Sequence, residues 1–267
     1  MSALHDSFAA ARAQNRAILI AYLPAGFPDH EGCVDALSAM VASGVDAVEV
    51  GLPYSDPLMD GATIQEAVTL ALQGGTTPAR VLDTVREVAA LGAPTMVMSY
   101  WNPIDRFGVG RFAAELAAAG GVGVITPDLT PEEAGPWTAA TDSAGVDRIF
   151  LVAPSSSDER LAVVAHASTG FVYAASTMGV TGARASVGGG ARELVARTRA
   201  VTDLPIAVGL GVSTAAQAAE VGAYADGVIV GSAFVRALLD APSRQAGVEA
   251  VAALAADLAA GVRGARG

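Results

Sequence analysis

The sequence predicts an α/β fold in which eight parallel strands alternate with helices and close into a (β/α)8 barrel, the TIM-barrel architecture. Short apolar runs recur near residues 20, 48, 96, 124, 150, 173, 207 and 229, with helical patterns between them. These runs lack polar alternation, as parallel strands covered by helices require. No Ser/Pro/Gly-rich or charged linker interrupts the 267 residues, a length at which such barrels form one domain. We therefore expect residues 1–267 to form a single domain, with an open doubly wound sheet as the alternative.

The first half of the chain predicts four of the strand–helix units. A polar helix at 7–14 precedes strands at 17–23, 45–50, 94–98 and 122–125. Helical spacing of apolar residues follows each strand and stops at glycines, namely Gly44, Gly74, Gly92 and Gly120. Thr63 with Glu66 predicts a capping box, and Thr77-Pro78 predicts a capped helix with proline in its first turn.

The second half predicts the remaining four units. Strands are expected at 148–152, 170–175, 205–208 and 226–230. Thr130-Pro131 predicts a cap for a helix that ends at Ala140, Ser157 predicts another, and a capped helix is expected at 213–221. A Gly-rich segment occupies 179–190, and an Ala-rich helix ends the chain after a short helix at 234–239.

Composition excludes several classes of function. The net charge of -11 argues against nucleic acid or an anionic membrane surface as a partner. All 16 basic residues are Arg, so Schiff-base lysine chemistry and a P-loop lysine are excluded. The three His residues are scattered without ligand-type spacing, so no metal site is expected. The single Cys33 excludes an internal disulfide, and neither an export signal nor an apolar run of membrane-spanning length is predicted, so we expect a cytoplasmic protein.

Glu49 is an unusual charge within a predicted buried strand. Alternation places its side chain on the face of Val45 and Ala47. A carboxyl group inside a barrel loses hydration, so its pKa should rise and it can carry a proton at neutral pH. The alternative is a structural Glu that pairs with an Arg or with the hydroxyl of Tyr100 or Tyr173.

Asp60 supplies a second acid on the loop that follows this strand. Pro53 and Pro57 exclude regular structure there. Taken alone, an Asp in such a loop is more often a charge at a helix N-terminus or a turn residue than a catalytic group. Two acids on one strand–loop unit, one buried and one on a loop, are an arrangement that separates two pKa values. Asp56, between the prolines, reads as an exposed charge.

Three Gly-rich turns follow predicted strands late in the chain, at 179–182, at 209–211 and at Gly231-Ser232. Each alone is an ordinary turn. Together they match the phosphate site of barrels, where backbone N–H groups and a helix N-terminus hold an anion. Tyr22 and Tyr173 either line an apolar pocket beside it or belong to the core. The residues thus predict a phosphate-bearing substrate and acid/base chemistry by two carboxyl groups, and they leave isomerisation and carbon–carbon cleavage equally open.

At residues 48–61, which read Val-Glu-Val-Gly-Leu-Pro-Tyr-Ser-Asp-Pro-Leu-Met-Asp-Gly, the sequence resembles the tryptophan synthase α subunit family. Segments 179–184 and 231–233 match two further family segments, and the resemblance covers essentially the whole chain. It implies a barrel that cleaves indole-3-glycerol phosphate to indole and glyceraldehyde 3-phosphate. By resemblance Glu49 and Asp60 are the catalytic pair, and the implied substrate-binding residues, on the indole or on the phosphate, are Tyr22, Tyr173, Thr181, Gly182, Gly209, Gly211, Gly231 and Ser232.

The resemblance also implies an α2β2 complex with a β subunit that carries pyridoxal phosphate, while this chain holds no cofactor. Pro53 and Asp56 on the loop and the region around Asn102 are the implied contacts with the β subunit. Three alternatives stay open: a stand-alone indole-releasing lyase, a phosphosugar isomerase or epimerase on the same scaffold, and a barrel that only activates a partner. The last is disfavoured because both acids are present.

Overall fold

A computed structural model of the chain describes residues 2–175, 189–209 and 211–266. Within these residues nine parallel strands form one sheet in the order β5-β4-β3-β2-β1-β9-β8-β7-β6. The strands are β1 Ile18–Pro24, β2 Ala47–Gly51, β3 Thr95–Met98, β4 Gly123–Ile125, β5 Asp147–Ile149, β6 Leu151–Val152, β7 Val172–Ala175, β8 Ile206–Gly209 and β9 Gly227–Val230.

The two ends of this sheet are successive pieces of one strand, so the sheet closes on itself. The strand predicted at 148–152 is divided at Phe150, where β5 pairs with β4 and β6 pairs with β7. The Phe150 carbonyl accepts a hydrogen bond of 3.1 Å from the Tyr173 N–H, which carries the pairing across the division. The predicted (β/α)8 barrel is therefore confirmed, and the open sheet is excluded.

Twelve helices accompany the strands in the described part of the chain. They are α1 Ala3–Ala13, α2 His30–Ala42, α3 Ala62–Gln73, α4 Pro78–Ala89, α5 Trp101–Phe107, α6 Val109–Ala118, α7 Gly135–Ala144, α8 Asp158–Ala167, α9 Gly189–Arg199, α10 Ala215–Gly222, α11 Ser232–Leu239 and α12 Arg244–Gly264. The seven-residue α5 was not predicted, because Pro103 and a single buried residue, Ile104, give it no helical stripe.

Two of the predicted caps are confirmed. The Thr77 hydroxyl accepts the Arg80 N–H at the start of α4, and Ser157 does the same for Arg160 at the start of α8.

Two other predicted helix starts are wrong. Thr63 caps nothing, because α3 already begins at Ala62 after Gly61, and its hydroxyl accepts a hydrogen bond of 2.8 Å from Arg236 instead. Thr130 closes a turn with Glu133, and α7 starts only at Gly135 and runs past the predicted end to Ala144.

Two further starts differ from prediction because another hydroxyl provides the cap. Thr214 rather than Ser213 caps α10. The N-terminal helix begins four residues earlier than predicted because Ser2 caps it.

The apolar core has two layers. Val48 and Val50 belong to the layer between the sheet and the helices, whereas the lumen is filled by alternating residues such as Ile18, Ile20 and Met96. Helix α1 closes the amino-terminal end of the barrel. Its buried residues Leu4, Phe8 and Ala11 join the lumen cluster, and the Phe8 ring lies 5.7 Å from that of Phe171. In the described part of the chain, the lumen is therefore closed at its amino-terminal end and open for a ligand at the carboxyl ends of the strands.

Helix α12 corrects the prediction that the chain contains no apolar run of membrane-spanning length. With 21 residues and a mean hydropathy of 1.3 over its best window, it is long and apolar enough by length and composition to cross a membrane. Its hydropathy comes largely from alanine. Val251, Leu258 and Val262 on one side are buried in the outer core layer, as in the packed helix of a barrel.

Replacing Phe8 by Ala should lower the free energy of unfolding by about 3 to 5 kcal/mol, because it opens a cavity where α1 plugs the lumen. Urea denaturation at fixed pH measures the change. Val163→Ala, at a position 44% exposed on α8, is the control and should stay within about 0.5 kcal/mol of the unmodified chain. Equal stability of the Phe8 variant and the control would contradict this role of α1.

Candidate active site

A pocket opens at the carboxyl ends of the strands, where barrels bind their substrates. It holds about 510 Å³ of empty space, part of it open to solvent. Its walls are Tyr22, Glu49, Asp60, Ile64, Met98, Tyr173, Gly209, Gly211, Ile229, Gly231 and Ser232. The structure thus brings eight of the predicted site residues to one place.

Glu49 points into the lumen from β2. Ala47, two residues before it, lies in the lumen cluster as predicted, but Val45 precedes the strand and packs on the helix side. Glu49 is 1% exposed, and its Oε2 atom has no hydrogen-bond partner among the described residues. Burial, and after it the charge of Asp60, raise the pKa of Glu49 to about 8. The pKa of Glu49 is therefore raised as predicted, and the carboxyl group holds its proton at neutral pH.

Asp60 lies half-buried on the loop after β2. Its Oδ1 atom accepts a hydrogen bond of 3.2 Å from the Tyr100 hydroxyl. Burial raises the pKa of Asp60, and this hydrogen bond opposes the rise. The charge of Asp60 contributes in turn to the raised pKa of Glu49, so the ionisation of the two acids is coupled.

Two tyrosine rings form the sides of the pocket, and glycines make room for them. A Cβ atom at Gly209 would lie 2.2 Å from the Tyr173 hydroxyl oxygen, and one at Gly231 would lie 2.9 Å from a Tyr22 ring carbon. A Cβ atom at Gly51 would also approach the Tyr22 hydroxyl to 2.5 Å. Burial raises the pKa values of both tyrosines well above the usual range, so they stay neutral.

Two of the three predicted glycine turns meet in the pocket. Gly209 ends β8, Gly211 has a φ of 50° that favours glycine, and Gly231-Ser232 begins α11. The N-terminus of α11 therefore faces the same pocket as the two acids. Thr181 and Gly182, predicted in the third turn, lie outside the described residues.

Comparison with known proteins agrees with these features. The sequence model of the family described as tryptophan synthase alpha chain matches residues 8–263. A tryptophan synthase alpha chain of Thermobifida fusca is 60% identical over 99% of both chains, and one of Streptomyces coelicolor is 60% identical over 98% of this chain and 97% of its own. This chain belongs to the tryptophan synthase alpha chain family. It is a lyase component of tryptophan synthase, an enzyme of tryptophan biosynthesis.

Comparison with solved structures identifies the same family. A chain of Mycobacterium tuberculosis tryptophan synthase is 55% identical, with a TM-score of 0.93 and 98% of each chain covered. A tryptophan synthase alpha chain from Legionella pneumophila, at 30% identity, still gives a TM-score of 0.89 over 98% of this chain and 97% of its own. The barrel is thus shared across relatives of widely different sequence.

Four further residues of this family member's site were missed or misplaced by sequence reasoning. Ile64, Met98 and Ile229 line the pocket, but as single apolar residues in apolar elements they carry no distinguishing pattern. Tyr100 was considered as a partner of Glu49, whereas its hydroxyl bonds Asp60. Its position two residues after the strand predicted at 94–98 was the available signal.

The residues expected at a partner surface differ in exposure. Pro53 is buried, whereas Asp56 and Asn102 are exposed. Leu58 on the same loop is 76% exposed, the most exposed large apolar side chain in the described part of the chain.

No group of three or more His, Cys, Asp or Glu side chains suited to a metal ion occurs in residues 2–175, 189–209 and 211–266.

The raised pKa of Glu49 should make stability depend on pH. Because the folded pKa of about 8 exceeds the ordinary 4.5, the stabilising contribution is complete below pH about 4.5 and is lost as pH rises through 8. Relative to Glu49→Gln, the wild-type free energy of unfolding should fall by about 1.4 kcal/mol per pH unit between these values. Urea denaturation of both proteins from pH 5 to 9 measures the difference, and a constant difference would contradict the assignment.

Proposed function

We propose that this pocket cleaves indole-3-glycerol phosphate to indole and glyceraldehyde 3-phosphate, with Glu49 as the general acid. The observation that carries the proposal is the buried carboxyl group with a pKa of about 8, which offers a proton at neutral pH next to the Asp60 carboxylate. A group whose pKa lies near the working pH gives and takes a proton efficiently.

The two acids can carry out every proton transfer that the cleavage requires. Glu49 protonates the ring carbon that bears the glycerol chain, and the indole becomes an indolenine cation whose N–H donates to Asp60. Glu49, now a carboxylate, removes the proton of the adjacent side-chain hydroxyl. The carbon–carbon bond breaks, its electrons restore the indole, and the released fragment is an aldehyde. The indole ring is the electron sink, a role that a lysine imine fills in other lyases and that a lysine-free chain cannot provide.

The walls of the pocket fit the two ends of this substrate. The rings of Tyr22 and Tyr173 offer flat, neutral surfaces to an indole. Gly211, Gly231 and Ser232 offer backbone N–H groups and the N-terminus of α11 to the phosphate, with Thr181 and Gly182 completing this end by resemblance. Gly209 serves the indole end, because it makes room for Tyr173.

The chain acts, in this proposal, as the α subunit of a cytoplasmic α2β2 complex whose β subunit carries pyridoxal phosphate. The exposed Leu58 and Asp56 on the loop and Asn102 on α5 form the contact surface. Pro53 is buried and shapes the loop rather than touching the partner. Because Asp60 lies on this same loop, an ordered loop places the acid, and partner binding raises the rate.

Glu49→Gln should abolish indole release from indole-3-glycerol phosphate, with a loss of at least 10² to 10⁴ in kcat, since the amide has no proton to transfer. Glyceraldehyde 3-phosphate affinity, measured by calorimetry, should stay close to wild type. Glu66→Gln removes an exposed carboxyl group on α3 and is the matched control. Wild-type cleavage by the Glu49 variant would disprove its role.

Adding a tryptophan synthase β subunit should accelerate indole release by the purified chain. Leu58→Ser and Asn102→Asp should weaken this stimulation at subsaturating β subunit while leaving the rate of the isolated chain unchanged. The assay follows indole against β-subunit concentration. A fast rate that the β subunit does not change would instead favour a stand-alone lyase, and no cleavage of this substrate but turnover of an indole-free phosphosugar would favour the isomerase.

A further inference from the structure

Tyr100 connects the two loops that follow β2 and β3. It lies directly before α5, and only 4% of its surface is exposed. Its hydroxyl oxygen accepts a hydrogen bond of 2.9 Å from the Met59 N–H and donates one of 3.2 Å to Asp60 Oδ1. The Tyr54 ring packs against it with centroids 5.5 Å apart. One hydroxyl thus holds both the backbone and the acid of the neighbouring loop.

The direction of these two bonds is fixed. The Met59 N–H can only donate, so the single proton of the hydroxyl is left for the carboxylate. Burial raises the pKa of Tyr100 to about 12, so this proton stays in place at neutral pH. A hydroxyl that always donates to Asp60 stabilises its ionised form over its protonated form.

Tyr100 is itself held by the helix that it precedes. The Trp101 N–H donates a hydrogen bond of 2.8 Å to Asp128 Oδ1, which ties the start of α5 to the loop after β4. Asn102, on the proposed partner surface, lies two residues along the chain. The hydroxyl that holds Asp60 is therefore attached to a fixed helix end and not to a second free loop.

We propose that Tyr100 is a positioning residue for Asp60, which holds the loop at 58–60 in place and keeps the Asp60 carboxylate ionised and aimed at the indole N–H. The proposal deepens the function proposed above and rests on it. Tyr100 touches no substrate atom in this scheme, and it acts through Asp60.

The other titratable groups around Asp60 are few in the described part of the chain. Glu49 reaches towards it from β2, Tyr22 from β1 and Tyr173 from β7. Glu49 is protonated and both tyrosines are neutral at pH 7. Of these three groups and Tyr100, it is Tyr100 whose hydrogen bond favours the Asp60 carboxylate in the described part of the chain. Removing its hydroxyl should let burial raise the pKa of Asp60 further.

Tyr100→Phe tests the proposal in the full chain through the pH dependence of indole release. We expect kcat at pH 7 to fall about tenfold, and the acid limb of kcat to move up by about one pH unit, as for a lost hydrogen bond to a charged group. Tyr54→Phe removes a hydroxyl from the adjacent ring and should change neither quantity. An acid limb at the wild-type position, with or without a lower kcat, would overturn the proposal.

A second measurement needs no substrate. In the chain labelled with carboxyl-¹³C aspartate, the Asp60 resonance is assigned by its loss in Asp60→Asn and titrated in wild type and in Tyr100→Phe. The midpoint should be higher in Tyr100→Phe, and equal midpoints would overturn the proposal. If the wild-type chain releases no indole, the proposed function fails, and this titration alone decides whether Tyr100 controls the ionisation of Asp60.

Discussion

The carboxyl group of Glu49, buried in an apolar lumen, is the constraint on which the rest of the site depends. Apolar residues fill the lumen below it, and its Oε2 atom finds no partner in the described part of the chain. A charge in such surroundings costs several kcal/mol, so the group keeps its proton at neutral pH. The same burial that destabilises the ionised form gives the chain an acid at the pH where it works. Stability and acidity are therefore two consequences of one position in β2.

The glycines of the pocket meet two demands at once. Gly209 and Gly231 leave the space in which the rings of Tyr173 and Tyr22 lie, and any larger residue would collide with them. Gly231 also precedes α11, where a backbone N–H group facing the pocket suits an anion. A substitution at either glycine would therefore move an aromatic wall, and at Gly231 it would also disturb the proposed phosphate site. Because both demands fall on Gly231, the two ends of the proposed substrate site are linked at this residue.

Sequence reasoning reached the fold because parallel strands and their covering helices impose periods that apolar residues must follow. It failed where a local choice depends on three-dimensional neighbours, as at Thr63 and Thr130, whose hydroxyls find other partners. Glu49 was predictable because a charge breaks an apolar strand. The Tyr173–Gly209 contact was not, because it depends on which residues of β7 and β8 stand side by side. The Tyr100–Asp60 bond joins two loops, whose paths no period fixes.

The two acids differ in how firmly they are held, and this difference separates their roles. Glu49 belongs to a central strand paired on both sides, so its position and raised pKa are as stable as the barrel itself. Asp60 belongs to a loop whose neighbouring side chain, Leu58, is largely exposed, and among residues 2–175, 189–209 and 211–266 the Tyr100 hydroxyl is the group that bonds its carboxylate. In the proposed mechanism, proton delivery by Glu49 thus depends only on the barrel, whereas stabilisation of the ring N–H by Asp60 requires the loop to be in place. A partner that covers the loop can then regulate the reaction without disturbing the acid that starts it.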